Sequence, residues 1–167
     1  LRALTHAHPE VAPYPFTTRA PQPGMMPFED VQVQLVDTPA VAAGHTEPYL
    51  SNLVRNADGV LLVLDVAGDD VEEGLEALRD LLERARVWPA ARPLPPDASP
   101  LLLRRPVLVL GNKCDLDADG TFAALAREAA GPDLPFLPVS AERGDGLPAL
   151  RERLFRELKR VRVYTKE

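Results

Sequence analysis

The sequence predicts an α/β fold, a mostly parallel sheet with helices on both faces. Two apolar runs bounded by polar residues, Val60-Leu61-Leu62-Val63-Leu64 and Val107-Leu108-Val109-Leu110, have the composition of strands buried on both faces. Stretches of helical periodicity alternate with such runs. At 167 residues the chain suits one domain and can bury a core without disulfide or metal staples.

Residues 5–24 carry His, Thr, Pro and Gly without periodicity and are expected to form a loop. Met25-Met26-Pro27-Phe28, the tight Glu29-Asp30 connection and Val31-Gln32-Val33-Gln34-Leu35 predict an antiparallel hairpin. Its second arm alternates with period two, so one face should be wetter. A short helix is expected over residues 47–56. Residues 70–86 place Val71, Leu75, Leu78, Leu82 and Ala85 on one stripe, with Asp70 and Glu73 at capping-box spacing. Residues 88–100 hold Trp88, Pro89, Pro93, Pro95, Pro96 and Pro100, too much proline for helix or strand. They read as a surface insertion, with a partner-docking loop as the alternative. An alanine-rich helix over 119–130 should stop at Gly131. Phe136-Leu137-Pro138-Val139 is a third strand, which Pro138 places at an edge or a strand end. A last helix, 147–160, sets Leu147, Leu150, Leu154, Leu158 and then Val161 on one side.

Composition narrows the function classes. Hydrophobic residues make up 46% and charged residues 26% of the chain, an ordinary soluble balance. No apolar run approaches the ~20 residues of a membrane span. The single cysteine, Cys114, cannot pair within the chain, and a cytoplasmic, reducing location is expected. A net charge of -6 argues against a surface that tracks nucleic-acid phosphates everywhere. The opening Leu1-Arg2-Ala3-Leu4 has no signal-peptide pattern and reads as a helix entered partway.

Four motifs carry chemistry. Asn112-Lys113-Cys114-Asp115 follows directly from the run 107–110, at the carboxyl end of a strand where ligands of such sheets bind. A carboxylate at Asp115 can accept from both the ring N–H and the exocyclic amino group of guanine. Adenine lacks that pair and would leave a desolvated charge unmatched. The stem of Lys113 can lie over the base while its ammonium stays wet. Asn112 can tie this loop to its neighbours, and Cys114 is expected to pack inward as a small hydrophobe. The plain alternative for the motif is a polar turn after a strand. Ser140-Ala141-Glu142 follows the next strand, where the Ala141 N–H can meet the guanine carbonyl; the alternative is an N-cap serine for the last helix. Asp37-Thr38-Pro39-Ala40 ends the strand 31–36. A carboxylate there can hold a Mg2+ shell, and the Ala40 N–H can reach a terminal phosphate. In Tyr14-Pro15-Phe16-Thr17-Thr18, a threonine hydroxyl can ligate Mg2+.

The ordered set of Thr18, Asp37, Asn112 to Asp115 and Ser140 to Glu142 resembles translation-factor-type GTPases. Pro9-Glu10-Val11-Ala12, Tyr14-Pro15-Phe16-Thr17-Thr18 and Pro23-Gly24-Met25 resemble the Obg group specifically. The ending Val161-Arg162-Val163-Tyr164-Thr165-Lys166 is similar to the developmentally regulated GTP-binding proteins of that group, where it leads into a TGS domain. The resemblance implies a three-layer, P-loop-NTPase-like G domain over 1–160, with one antiparallel strand, and a linker from 161–167 toward a TGS-like domain absent from this sequence. It implies GTP/GDP and Mg2+ as ligands. Thr18 becomes the switch I metal ligand and Asp37 the switch II aspartate. Asn112, Lys113 and Asp115 recognise the base with the Ala141 backbone. Pro21 to Met25 and Val41 to Asn56 flank or form the moving switches.

The sequence departs from this pattern in three places. No Gly-x-x-x-x-Gly-Lys-Ser/Thr occurs in it, although the pattern places that phosphate loop, after a first strand, immediately before Leu1. The first strand and loop are expected upstream in a longer chain; otherwise the chain is a pseudo-GTPase, a non-enzymatic interaction module. Ala40 stands where the pattern has glycine, keeping the donor but narrowing the backbone. Val41 stands where Ras-like enzymes carry a water-orienting glutamine, as is normal for the Obg group. His45 and Glu47 are candidates for that task, with solvated loop residues as the alternative, while His6 and His8 have no metal-ligand spacing. Arg151, Arg153, Arg156, Lys159, Arg160, Arg162 and Lys166 crowd the end of the chain. They fit a contact with the ribosome, through ribosomal RNA, or with tRNA. A solvated helix face is the alternative. A dinucleotide-binding oxidoreductase shares the sheet architecture, but no Gly-x-Gly-x-x-Gly follows a predicted strand, which argues against it.

Overall fold

The computed structural model describes residues 1–5, 21–41, 48–68 and 71–158. The hairpin forms as its pattern requires. β1 (Gln22–Phe28) and β2 (Val31–Asp37) pair antiparallel from Phe28↔Val31 to Gln22↔Asp37, closed by Glu29-Asp30 with Glu29 in the left-handed region at φ 51°. Gln32, Gln34 and Val36 face out, while Val33 and Leu35 turn inward beside fully buried Met26.

The central sheet is parallel. β3 (Val60–Asp65), β6 (Val107–Asn112) and β7 (Phe136–Pro138) are ordered β3-β6-β7, so β7 is the edge its proline predicts. The β3–β6 register runs from Val60↔Val107 to Asp65↔Asn112. Alternate residues of β6 serve opposite faces. Val107 and Val109 pack with α1 (Pro48–Asn56), α2 (Val71–Ala85) and α3 (Thr121–Ala130) through Leu50, Leu75, Leu78, Leu82 and Ala126. Leu108 and Leu110 pack on the other face with Met26 and with Leu147, Leu150 and Leu154 of α4 (Leu147–Glu157). Phe28 and Phe155, with ring centroids 5.2 Å apart, add an aromatic clamp between hairpin and α4. Helices on both faces of the sheet give the expected three layers.

One expectation is corrected. The proline-rich insertion contains a strand: β4 (Val87–Pro89) pairs in parallel with β5 (Leu103–Arg105). Pro89 is tolerated because it is the last strand residue, and the ladder continues through the Ala90 N–H to the Arg105 carbonyl at 2.8 Å. Val87 and Pro89 are buried, which anchors the strand. Arg55 of α1 donates to the carbonyls of Ala85 and Leu101, and the Arg92 guanidinium lies 4.5 Å from the centre of the Trp88 ring.

Helix ends follow local chemistry. Gly131, at φ 78°, ends α3 by donating to the Arg127 and Glu128 carbonyls. The start of α3 is fixed from upstream, where the Asp117 carboxylate accepts the N–H groups of Phe122 and Ala123 at 3.2 and 2.8 Å. Asp70, the expected cap of α2, lies outside the described residues, as do 159–167, which include the expected linker and Val161. No helix among the described residues is long and apolar enough to cross a membrane.

Candidate guanine-recognition site

β6 delivers the Asn112 motif to the rim of the sheet. Its residues Val107 to Gly111 are buried, and a Cβ at Gly111 would collide with the Phe136 ring and lie 2.8 Å from Val66 Cγ1. The glycine lets β3, β6 and β7 close tightly just below the motif. Directly beyond, Lys113 takes a left-handed backbone (φ 66°, ψ 29°) that turns the chain from the strand into a 3₁₀ turn, Cys114–Leu116.

Backbone and side chains stitch this turn to the Ser140 loop. The Cys114 N–H donates to the Val139 carbonyl at 3.1 Å, and the Val139 N–H to the Gly111 carbonyl at 2.8 Å. Asn112 Oδ1 accepts the Ala141 N–H at 3.0 Å. The tying role expected of Asn112 is thus visible, and it engages the same Ala141 N–H that sequence reasoning assigned to the base.

Ser140 is fully buried. Its hydroxyl accepts the Arg143 N–H at 3.0 Å. It does not cap α4, whose N-cap is Gly146 at φ 75°, so the N-cap alternative is not what this serine does. The Ser140 hydroxyl, more than anything else, holds the Asp115 carboxyl below the usual carboxylate value. Burial pushes the other way, while a backbone bond and the charges of Arg143 and Lys113 reinforce the lowering. The Asp115 side chain is only 11% exposed, with Arg143 Nε 3.9 Å away. A carboxylate so covered and so held is an ionised acceptor set in advance.

A pH prediction follows from this arrangement. The folded carboxyl is depressed, so its stabilisation is present above the ordinary value of 3.8 and lost as pH falls through the lower, folded value. Ser140→Ala removes the largest lowering cause and is expected to move the Asp115 midpoint upward. A ¹³C NMR titration of the side-chain carboxyl reads this; an unmoved or lowered midpoint would contradict the assignment.

Cys114 is half-buried and belongs to neither apolar cluster, so its expected inward packing is only partial. Burial first, then the charges of Asp145 and Asp115, push its thiol pKa up, which keeps it protonated and unreactive. Glu142 is exposed at the rim. The Lys113 side chain is 51% exposed, and its Nζ sits 2.5 Å from Asp65 Oδ2. Asp65 was not singled out from sequence. The available signal was that the apolar run of β3 ends in an acid at the level where β6 ends in Asn112.

The phosphate side is described in part. Asp37 ends β2, half-buried; Ala40 is exposed, and Val41 turns toward the α1–α2 core. Thr18, His45, Glu47, His6 and His8 lie outside the described residues. Among the described residues no three acids, histidines or cysteines gather as a metal cage. Mg2+ fits a strand-end aspartate without one, because it keeps several waters and binds through one or two protein groups plus phosphate oxygens.

A model of the 50S ribosome-binding GTPase family matches residues 1–93. The chain is 32% identical to GTPase Obg of Deinococcus radiodurans, covering 98% of this chain and 37% of that protein. To GTPase Obg of Akkermansia muciniphila it is 30% identical, covering 90% of this chain and 42% of that protein. The chain therefore spans well under half the length of these relatives. Era in complex with MgGDPNP and nucleotides 1506-1542 of 16S ribosomal RNA superposes with a TM-score of 0.66 at 18% identity, over 93% of this chain and 50% of that one. The cytosolic domain of the T. maritima FeoB iron transporter in a GDP form gives 0.60 at 20% identity, over 97% and 58%. These two likenesses concern the fold, which is the G-domain architecture expected.

Proposed function

This chain belongs to the 50S ribosome-binding GTPase family, with the GTPase Obg proteins among its relatives, and from that premise we propose that it supplies the guanine-recognition side of a GTP-hydrolysing, Mg2+-dependent switch. The observation that carries the reading is the pair of hydrogen bonds joining the two loops, Ala141 N–H to Asn112 Oδ1 and Cys114 N–H to the Val139 carbonyl. Because the loops are bonded before any ligand arrives, little ordering cost remains for the base.

Asp115 accepts the ring N–H and amino group of guanine, and the Lys113 stem covers the base plane. The Ala141 N–H, already aimed at the rim by Asn112, is shared with the guanine carbonyl. Asp37 and Thr18 hold Mg2+, which when bound offsets the phosphate charge, while the exposed Ala40 presents its N–H to the terminal phosphate. Val41 packs toward the core and has no group to orient water. His45, Glu47 or a partner protein is left for that task, which favours slow intrinsic hydrolysis. A non-enzymatic module gains no support from relatives that are named GTPases.

Association with the ribosome is the second part of the proposal, motivated by the family description and by the RNA in the Era complex. Within the described part of the basic segment, Arg153 and Arg156 pair with Glu157 and Glu152 on α4, and Arg151 donates to the Ala3 carbonyl. Pairing on an exposed surface contributes little and leaves Arg153 and Arg156 accessible, so the proposed RNA contact spans the basic segment from Arg151 through Lys159, Arg160, Arg162 and Lys166. Equilibrium competition on the full-length protein tests the base assignment: GTP is expected to displace labelled GDP and ATP to fail at a thousandfold excess, on the order of what an unmatched buried acceptor costs. Equal displacement would sink the proposal.

A further inference from the structure

We propose that Asp65 is a positioning residue for guanine binding, acting through Lys113. The inference rests on the guanine reading above and extends it to a residue outside the four motifs.

Asp65 ends β3 and stands opposite Asn112 in the parallel register, so the two strands release their next residues at one height. The Val66 N–H donates to the Asn112 carbonyl at 3.1 Å, which locks that level. The carboxylate itself is oriented, since Oδ1 accepts the Ala67 N–H at 3.0 Å while Oδ2 faces Lys113 Nζ at 2.5 Å. Lys113 starts from a fixed left-handed backbone, so both ends of its side chain are set. Its four-carbon stem is thereby drawn across the rim toward β3.

The pair is a poor stability device. Its side chains are 51% and 43% exposed, and exposed ion pairs contribute little to folding. What it does restrict is the lysine stem. A free lysine has many rotamers, and a base stacking on its methylenes must freeze them. Asp65 freezes them beforehand, leaving the stem extended as one wall of the base slot and Asp115 as its edge. Discrimination among bases stays with Asp115, so Asp65 governs how long a guanine nucleotide stays bound rather than which base binds.

Release of fluorescent GDP from the full-length protein, followed by stopped flow, tests this. Asp65→Ala and Asp65→Asn are expected to speed release about five- to tenfold, the scale of leaving one rotamer-rich side chain to be ordered on binding. The preference for guanine over adenine and the melting temperature should be unchanged. Asp65→Glu should recover part of the residence time. The double variant Asp65→Ala/Lys113→Ala should release no faster than Lys113→Ala alone, because Asp65 acts only through the lysine. Release from Asp65→Ala at or below the wild-type rate, or additive effects in the double variant, would overturn the inference. If the wild-type protein holds no GDP, the guanine reading fails with it; if it holds GDP and the Asp65 variants match it, only this inference fails.

Discussion

Replacing Asp115 by alanine in the full-length protein is expected to weaken GDP and GTP binding by roughly 10²- to 10³-fold, the scale of losing two hydrogen bonds to a charged acceptor. Three features make the loss this large. The carboxylate is almost covered, so water cannot substitute for it well. Its pKa is lowered further from the ordinary carboxylate value by the buried Ser140 hydroxyl, favouring the charged acceptor. It projects from a turn bonded to Val139, so a neighbouring group cannot easily move into its place. Asp115→Asn sharpens the test: it exchanges one acceptor for a donor, and should lose guanine while gaining xanthine, whose 2-oxo group can accept. Isothermal titration with GDP and XDP reads both effects. Retention of GDP affinity within threefold, well below the ~1.4 kcal/mol of a tenfold change, would remove Asp115 from the site.

Leu150→Ala is expected to cost about 2–5 kcal/mol of folding stability. Leu150 has no exposed surface and sits in the cluster formed by Met26, Leu108, Leu110, Val139, Leu147 and Leu154. That cluster joins α4 to both the hairpin and β6. Its neighbour Val139 directly precedes Ser140, and the Ser140 N–H donates to the Asp145 carbonyl just ahead of α4. The cavity therefore lies behind the Ser140 loop as well as under the helix. Urea unfolding should show a lowered midpoint with an unchanged m-value. A loss below about 0.5 kcal/mol would mean that α4 repacks freely and does not brace this loop.

Much of the architecture was legible because it is carried by contiguous residues. The runs 60–64 and 107–110 need only local composition to be read as strands, although only the second is buried throughout, since Val63 of the first is 58% exposed, and the alternation in 31–35 shows which face of the hairpin is wet. Pro138 reveals an edge because a missing N–H is a property of one residue. Features that join distant residues were not legible. β4 is three residues long, ends in proline and exists through pairing with β5 and burial of Val87, so proline content pointed the wrong way. The helix predicted to begin at 119 starts at Thr121, where the Asp117 carboxylate caps it from upstream. Asp65 meets Lys113 across 48 positions, and no local pattern announces such a pair. In the site, residue types suggested what Asn112 and Asp115 can bind. Their mutual bracing through Ala141 and Ser140 depends on β6 and β7 ending side by side.

The Gly111↔Pro138 and Asp65↔Asn112 pairings also bear on how such a domain can diversify. Three strands stop at a common level, so each following segment starts from a height fixed by ladder hydrogen bonds rather than by its own length. An excursion such as 87–105 can then grow or shrink between α2 and β6 without displacing Asn112. The sheet works as a ruler: the length of the excursion can change while Asn112 and Asp115 keep their height.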